Sequence, residues 1–185
     1  MLDLQSINKN WTLFLDRDGV INHEKESDYI YNYHEFIFYD GAQEALKIFA
    51  EIFSTIIVAT NQRGIGKGLM TEEDLKDLHT QMLHDIETAG GRIDKIYYNT
   101  AMTNDHPMRK PQSGMALQAK KDFPQIDFSR SIMVGNNVSD MLFGRNAGMH
   151  TVFLRTTSPD LELPPNASDL SFDNLIDFAK ALQKP

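Results

Sequence analysis

No cysteine occurs anywhere in the 185 residues. Disulfides and thiol nucleophiles are therefore excluded, and a zinc site would have to be built from histidines and carboxylates. No basic run is present either, and the formal net charge is −8. Non-specific nucleic-acid binding depends on neutralising backbone phosphates, so no nucleic-acid partner is expected. An acidic chain can still bind an anion, because the field inside a pocket can oppose the net charge. No apolar stretch approaches the ~20 residues needed to span a bilayer, which predicts no membrane partner. Met1 to Asn10 lacks the charged-then-apolar order of a signal peptide. A cytoplasmic monomer is the expectation.

What is present is ordinary in amount and unusual in arrangement. Hydrophobic residues make up 41% and charged residues 24% of the chain, proportions typical of globular proteins. The length suits one domain over residues 1–185, large enough to bury a core unaided. Neither an internal repeat nor a domain boundary is visible.

Short apolar strands alternate with amphipathic helices. Trp11 to Leu15, Thr55 to Ala59, Ile93 to Tyr98, Ile132 to Val134 and Thr151 to Leu154 read as strands. Between them, helices are expected over Gly41 to Phe53, from Thr71 to the Gly90-Gly91 pair, Ser113 to Phe123 and Val138 to Ala147. A last one follows the Pro-rich stretch Pro159 to Ala167, over about Asp173 to Gln183. This order implies an α/β fold with a central parallel sheet of about five strands, covered by helices on both faces. Chemistry in such sheets lies at the carboxyl ends of the strands. The aromatic segment between Asn22 and Gly41 is too short for a separate domain. It is either a flap over the site or a hairpin packed on the core.

Four polar clusters sit at strand ends or in the loops that follow: Asp16 and Asp18, Thr60-Asn61, Arg109-Lys110-Pro111, and Gly135-Asn136 with Asp140. Phosphoryl transfer needs a nucleophile, neutralisation of phosphate charge, and a proton donor for the leaving oxygen. Asp16 can attack phosphorus, and Asp18, pointing the same way from an extended backbone, can serve as general acid and then base. Thr60 and Asn61 offer a hydroxyl, an amide and backbone N–H groups to a phosphate. Lys110 offers a point charge, and Arg109 a planar fork for a phosphate or sugar oxygen. Taken singly, an Asp-x-Asp pair is more often a turn and a basic pair more often a solvated loop. Gly64 to Gly68 fails the nucleotide-loop patterns and reads as a flexible connection. His79 and His84, five apart on a helix, read as ordinary polar positions.

Together the clusters resemble the motifs of the haloacid dehalogenase (HAD) superfamily, specifically its small phosphatases of sugar and histidinol phosphates. Asp16-Arg-Asp-Gly-Val-Ile-Asn22 is similar to the first motif, and Thr60-Asn-Gln-Arg-Gly64 to the second. Arg109-Lys-Pro111 is similar to the third, and Gly135-Asn-Asn-Val-Ser-Asp140 to the fourth. The resemblance spans about Trp11 to Arg155. It implies a Rossmann-like HAD fold with a minimal cap or none, and a Mg²⁺-dependent reaction with Asp16 as nucleophile and Asp18 as acid/base. Thr60, Asn61 and Lys110 would contact the phosphoryl group. The metal would take the Asp16 carboxylate, the Asp18 carbonyl and the Asn136 side chain, with Asp140 beside it orienting the lysine or a metal-bound water. The implied substrate is a small phosphorylated metabolite, a heptose bisphosphate before histidinol phosphate. Arg63, Lys67 and Arg109 are candidates for a second phosphate. A non-catalytic binding protein on the same fold is the remaining alternative.

The chain departs from the family pattern twice. Many members carry a zinc loop of Cys and His before the Arg-Lys-Pro motif. The matching stretch here, Asn99 to Met108, is short and has no cysteine, so no structural zinc is expected and other contacts must hold the loop. Asn136 stands where the family usually has Asp. An amide oxygen can still ligate Mg²⁺ but brings no formal charge.

Overall fold

A computed structural model describes residues 2–183. Six strands form one parallel sheet in the order β3-β2-β1-β4-β5-β6. They are β1 (Thr12–Leu15), β2 (Thr55–Asn61), β3 (Lys95–Asn99), β4 (Ser131–Gly135), β5 (His150–Leu154) and β6 (Leu170–Phe172). The helices are α1 (Ala42–Ile52), α2 (Arg63–Gly66), α3 (Glu72–Thr88), α4 (Gly114–Asp122), α5 (Val138–Ala147) and α6 (Leu175–Leu182). Among the described residues, no helix is long and apolar enough to cross a membrane.

Alternation along the strands divides the core in two. Leu13, Leu15, Ile56, Val58, Ile132 and Val134 face Leu46 and Phe49 of α1, Leu78 and Met82 of α3 and Phe178 of α6. Phe14, Ile57, Ala59 and Met133 face Met115, Ala116 and Ala119 of α4 and Phe143 of α5. Both faces are therefore covered, as the near-continuous apolar strands require. In the register, Leu15 lies beside Val58 on one side and Val134 on the other. The residue after Leu15 thus emerges at the centre of the sheet.

The sheet has one strand more than the sequence predicts. β6 is three residues long and only half buried, too short to show alternation. Its position is set by pairing with β5. β3 starts at Lys95 rather than Ile93, because the Asp94 carboxylate takes the Ile56 N–H at 2.7 Å and replaces a ladder bond. Gly64 to Gly68, expected as a flexible connection, contains the single helical turn α2. α3 begins where its acidic first turn predicts, with a reciprocal cap between Thr71 and Asp74.

The aromatic segment turns out to have two parts. Ile30 and Phe36 are buried, Tyr33 stacks on Phe36, Phe38 meets Phe36 edge to face, and the Tyr33 hydroxyl reaches Asp85 on α3. A bridge between Asn22 and Phe38 closes its base. The remaining part, Glu24 to Ile30, forms one wall of the cavity at the strand ends.

Candidate active site

Asp16 follows directly on β1, and its N–H still bonds to the Val134 carbonyl at 3.0 Å. That bond ties the nucleophile candidate to β4, the strand beside β1 at the centre of the sheet. Lys110 reaches it from the loop before α4, with Nζ 2.8 Å from Asp16 Oδ1 and 2.7 Å from Asp140 Oδ1. The other Asp140 oxygen accepts the Asn137 N–H at 3.0 Å in the cap of α5. Asp140 is fully buried and can lie this close to the sheet only because residue 135 is glycine. A Cβ there would stand 2.2 Å from the Asp140 Cβ.

Two buried carboxylates therefore share one ammonium. Burial, with the Asp140 charge adding to it, pushes the Asp16 carboxyl up to about 7 even though Lys110 pulls the other way. Burial alone would lower Lys110, but Asp140 and Asp16 together hold it above the ordinary ammonium range. The cluster has an anionic excess.

Asp18 sits in a different environment. Arg17 grips it with Nη2 at 2.8 and 2.9 Å and Nε at 3.2 Å. Asn22 donates to Oδ1 at 2.9 Å and Gln62 to Oδ2 at 3.0 Å. Burial would raise its pKa, yet the Arg17 charge and these hydrogen bonds outweigh it and hold the carboxyl below the usual range. The two aspartates are thus pushed in opposite directions, the pattern that separates roles within a catalytic pair. Gly19, at φ +81°, turns the chain beneath them. A Cβ at this position would lie 2.0 Å from Asn136 Nδ2.

Thr60 and Asn61 end β2 as the sequence predicts, with different engagements. The Thr60 hydroxyl accepts from Gln62 Nε2 at 2.9 Å. Asn61 exchanges two bonds with the Lys110 backbone: its Nδ2 donates to the carbonyl and its Oδ1 accepts the N–H, both at 3.1 Å. Arg109 is mostly buried, with Nη1 on the Ala101 carbonyl at 3.2 Å. Burial, then the neighbouring Arg63 charge, lowers its pKa. The cysteine-free loop is closed by its own polar groups. His106 Nδ1 faces the Asn99 amide at 3.3 Å and accepts the Met108 N–H at 3.2 Å.

Asn136 gives its Nδ2 to the Thr157 hydroxyl at 2.8 Å, which leaves Oδ1 for another partner. Beside it stands Glu24. Its pKa is raised chiefly by burial and by the Asp18 and Asp140 charges, against hydrogen bonds from Thr157 and Asn136. Asp16, Asp18, Thr60, Asn61, Arg109, Lys110 and Asn136 all line one cavity of about 220 Å³. That is below the ~300–1,000 Å³ of drug-sized sites, and it suits a small ligand. Asp140 lies behind the wall, in contact with Lys110. Arg63 and Lys67 do not line this cavity: Arg63 donates to Asn104, and Lys67 lies over the Tyr29 ring at 5.0 Å.

Three contributors escaped the sequence reading: Glu24, Gln62 and the Arg17–His79 pair. Glu24 carried no motif signal. Gln62 directly follows Thr60-Asn61 and could have been suspected from that position. His79, expected to be an ordinary polar position, is only 7% exposed. It falls on the buried stripe Leu75, Leu78, Met82 and Ile86, four residues after Leu75, and that spacing was the available signal.

Carboxylates opposed by a buried lysine at the centre of a parallel Rossmann-like sheet define the chain as a HAD-type hydrolase. Comparison with known proteins agrees: a HAD-hydrolase-like family model matches residues 107–178. The D-glycero-α-D-manno-heptose-1,7-bisphosphate 7-phosphatase of Campylobacter jejuni is 40% identical over 146 residues, which are 79% of this chain and 83% of that protein. The protein of the same name from Mycobacterium bovis is 32% identical, over 93% of this chain and 91% of its own. Among solved structures, D,D-heptose 1,7-bisphosphate phosphatase from B. bronchiseptica, complexed with magnesium and phosphate, superposes with a TM-score of 0.84. It is 24% identical and covers 93% of this chain and 97% of its own. The chain belongs to the heptose-1,7-bisphosphate 7-phosphatase family of HAD phosphatases.

Proposed function

We propose that this enzyme hydrolyses the 7-phosphate of D-glycero-D-manno-heptose 1,7-bisphosphate, with Mg²⁺, through a phosphorylated Asp16. The observation that carries the reading is the Lys110 ammonium held 2.8 Å from Asp16 and 2.7 Å from Asp140 at the base of a small polar cavity. The named activity of relatives matched over most of their length supports the substrate.

The residues fit a hard cation. Asp16, the Asp18 carbonyl and Asn136 Oδ1 would hold Mg²⁺, with Asp140 and Glu24 adding charge around it. Among the described residues no three His, Cys, Asp or Glu side chains form a ready-made cage. Mg²⁺ commonly keeps several waters and takes only one or two carboxylates. The carboxylate excess over Lys110 supplies the electrostatic demand for it. When bound, the ion would offset the repulsion between the Asp16 carboxylate and the phosphate oxygens.

Lys110 and the Thr60 hydroxyl bind the phosphoryl oxygens and hold phosphorus in line with Asp16. An Asp16 oxygen forms the new bond to phosphorus while the bond to the sugar oxygen breaks. Asp18, ionised at rest, gains proton affinity as the phosphate charge arrives beside it, takes up a proton from solvent and passes that proton to the leaving oxygen. Asp18 then takes a proton from water, which attacks phosphorus, releases inorganic phosphate and restores Asp16. Arg109, which lines the cavity and whose buried Nε has no hydrogen-bond partner among the described residues, suits the second phosphate, with the Arg63 charge close to it. All these groups come from one chain, so a monomer suffices.

The test is phosphate release from a panel of esters with Mg²⁺ or EDTA, with Asp16→Asn as control. Heptose bisphosphate should be the best substrate, and EDTA and the Asn substitution should each abolish release. Faster turnover of histidinol phosphate would overturn the substrate, and activity in the Asn variant would overturn the mechanism.

A further inference from the structure

Arg17 is the largest fully buried side chain among the described residues. A buried guanidinium needs partners on all of its nitrogens. Nε and Nη2 are both directed to Asp18, the next residue in the chain. This pair alone is a poor anchor, because neighbouring side chains can pivot together about their shared backbone. Asn22 and Gln62 hold the carboxylate oxygens from outside the pair, whereas the guanidinium reaches outside it through Nη1, which lies 3.1 Å from His79 Nε2. His79 projects from the middle of α3, where Leu75, Leu78 and Met82 are fully buried. Arginine has only donors, so Nε2 of this ring must accept, and the proton must sit on Nδ1.

We propose that His79 is a positioning residue for the acid/base Asp18, fixing the roll of the Arg17 fork so that the carboxylate presents one orientation to the leaving oxygen. The inference rests on Asp18 acting as acid/base in the reading above. Burial and the Arg17 charge also keep the ring neutral, pushing its pKa down to about 3. A permanently neutral acceptor suits a fixed support, whereas a titrating histidine would repel the guanidinium it holds.

A general-acid defect has a kinetic signature that simple loss of packing lacks. An alkyl leaving group needs the proton, whereas p-nitrophenolate leaves almost without it. His79→Leu, a substitution with no acceptor, should lower kcat for the sugar phosphate by about tenfold, a fraction of the 10²–10⁴ that general acids contribute. For p-nitrophenyl phosphate it should lower kcat by less than about threefold, with KM unchanged for both. His79→Gln, whose amide oxygen can accept from Nη1, should recover most of the loss. Asp18→Asn provides the reference and should show the steepest leaving-group dependence. If Asp18→Asn is flat between the two substrates, the role of Asp18 fails and the inference fails with it. If Asp18→Asn is steep but His79→Leu slows both substrates equally, or Gln does no better than Leu, the inference alone is overturned. Should the Leu variant not fold, ¹⁵N NMR of the unsubstituted protein decides: a neutral Nδ1–H ring at neutral pH is expected, and an Nε2–H tautomer or an imidazolium refutes the arrangement.

Discussion

Two charge clusters, one on either side of β5, resolve their charges in opposite ways. At its far edge, Asp169 accepts the Thr151 N–H at 2.9 Å and an Arg145 N–H at 2.9 Å, with His150 at 3.5 Å. Burial would raise its pKa, but the Arg145 and Thr151 hydrogen bonds and the Arg145 charge bring it below the ordinary value. One carboxylate meets one guanidinium, and the segment leading into β6 is fastened to the sheet. At the strand ends two carboxylates meet one ammonium, and Asp16 is pushed up to about 7. The balanced cluster holds structure together. The unbalanced one carries a charge excess that a proton on Asp16 or a bound cation would relieve, which is the usual conflict between stability and activity at a site.

Substitutions at the two places should separate these roles. The largest effect is expected from Asp16→Asn: turnover should fall on the order of 10⁴-fold, while the melting temperature in EDTA rises because the anionic excess is gone. A fall in melting temperature would mean that the Lys110 cluster is structural after all. Next comes Lys110→Met, which leaves both carboxylates without their partner. It should cost about 3–5 kcal/mol of stability in a denaturant titration, and a surviving rate above a hundredth of the original would rule out Lys110 as a phosphate-binding group. Asn136→Asp adds charge where the cluster already has too much. It should lower the Mg²⁺ half-saturation about tenfold, or ~1.4 kcal/mol, and destabilise the metal-free protein. An unchanged half-saturation would remove residue 136 from the metal site. The smallest effect belongs to Asp169→Asn, about 1 kcal/mol with activity intact. Its sign with pH is fixed: the folded pKa is depressed, so the contribution is full above the unfolded value of about 3.9. The difference in stability between the two proteins should therefore shrink as pH falls through the folded value. A constant gap down to strongly acid pH would show that the charge plays no part.

The same contrast separates what could be read from the chain and what could not. Strands such as Thr55 to Asn61 announce themselves because both faces are buried, and their ends are marked by the switch to polar residues. Hence Asp16, Thr60, Lys110 and Asn136 were expected near one another and do line one cavity or its base. Glu24 and His79 were not, since nothing local distinguishes a glutamate facing a cavity from one facing water, or a histidine serving an arginine 62 positions away. β6 was missed for a related reason, because three half-buried residues acquire their strand identity from β5. Partner choice belongs to the tertiary structure, and periodicity carries none of it. Asn61 was expected to contact phosphate; it lines the cavity, and its amide also exchanges two bonds with the Lys110 backbone, a pairing that no local pattern announces.

That two-way clasp has a consequence for how such an enzyme can change. It fastens the Lys110 main chain to the Asn61 side chain at the end of β2, through bonds that use no group between Asn99 and Arg109. The clasp itself does not require any particular length or composition of the intervening segment to keep the ammonium in place. The reactive lysine and the loop that precedes it are thereby mounted on separate fittings, and one can be exchanged without recalibrating the other.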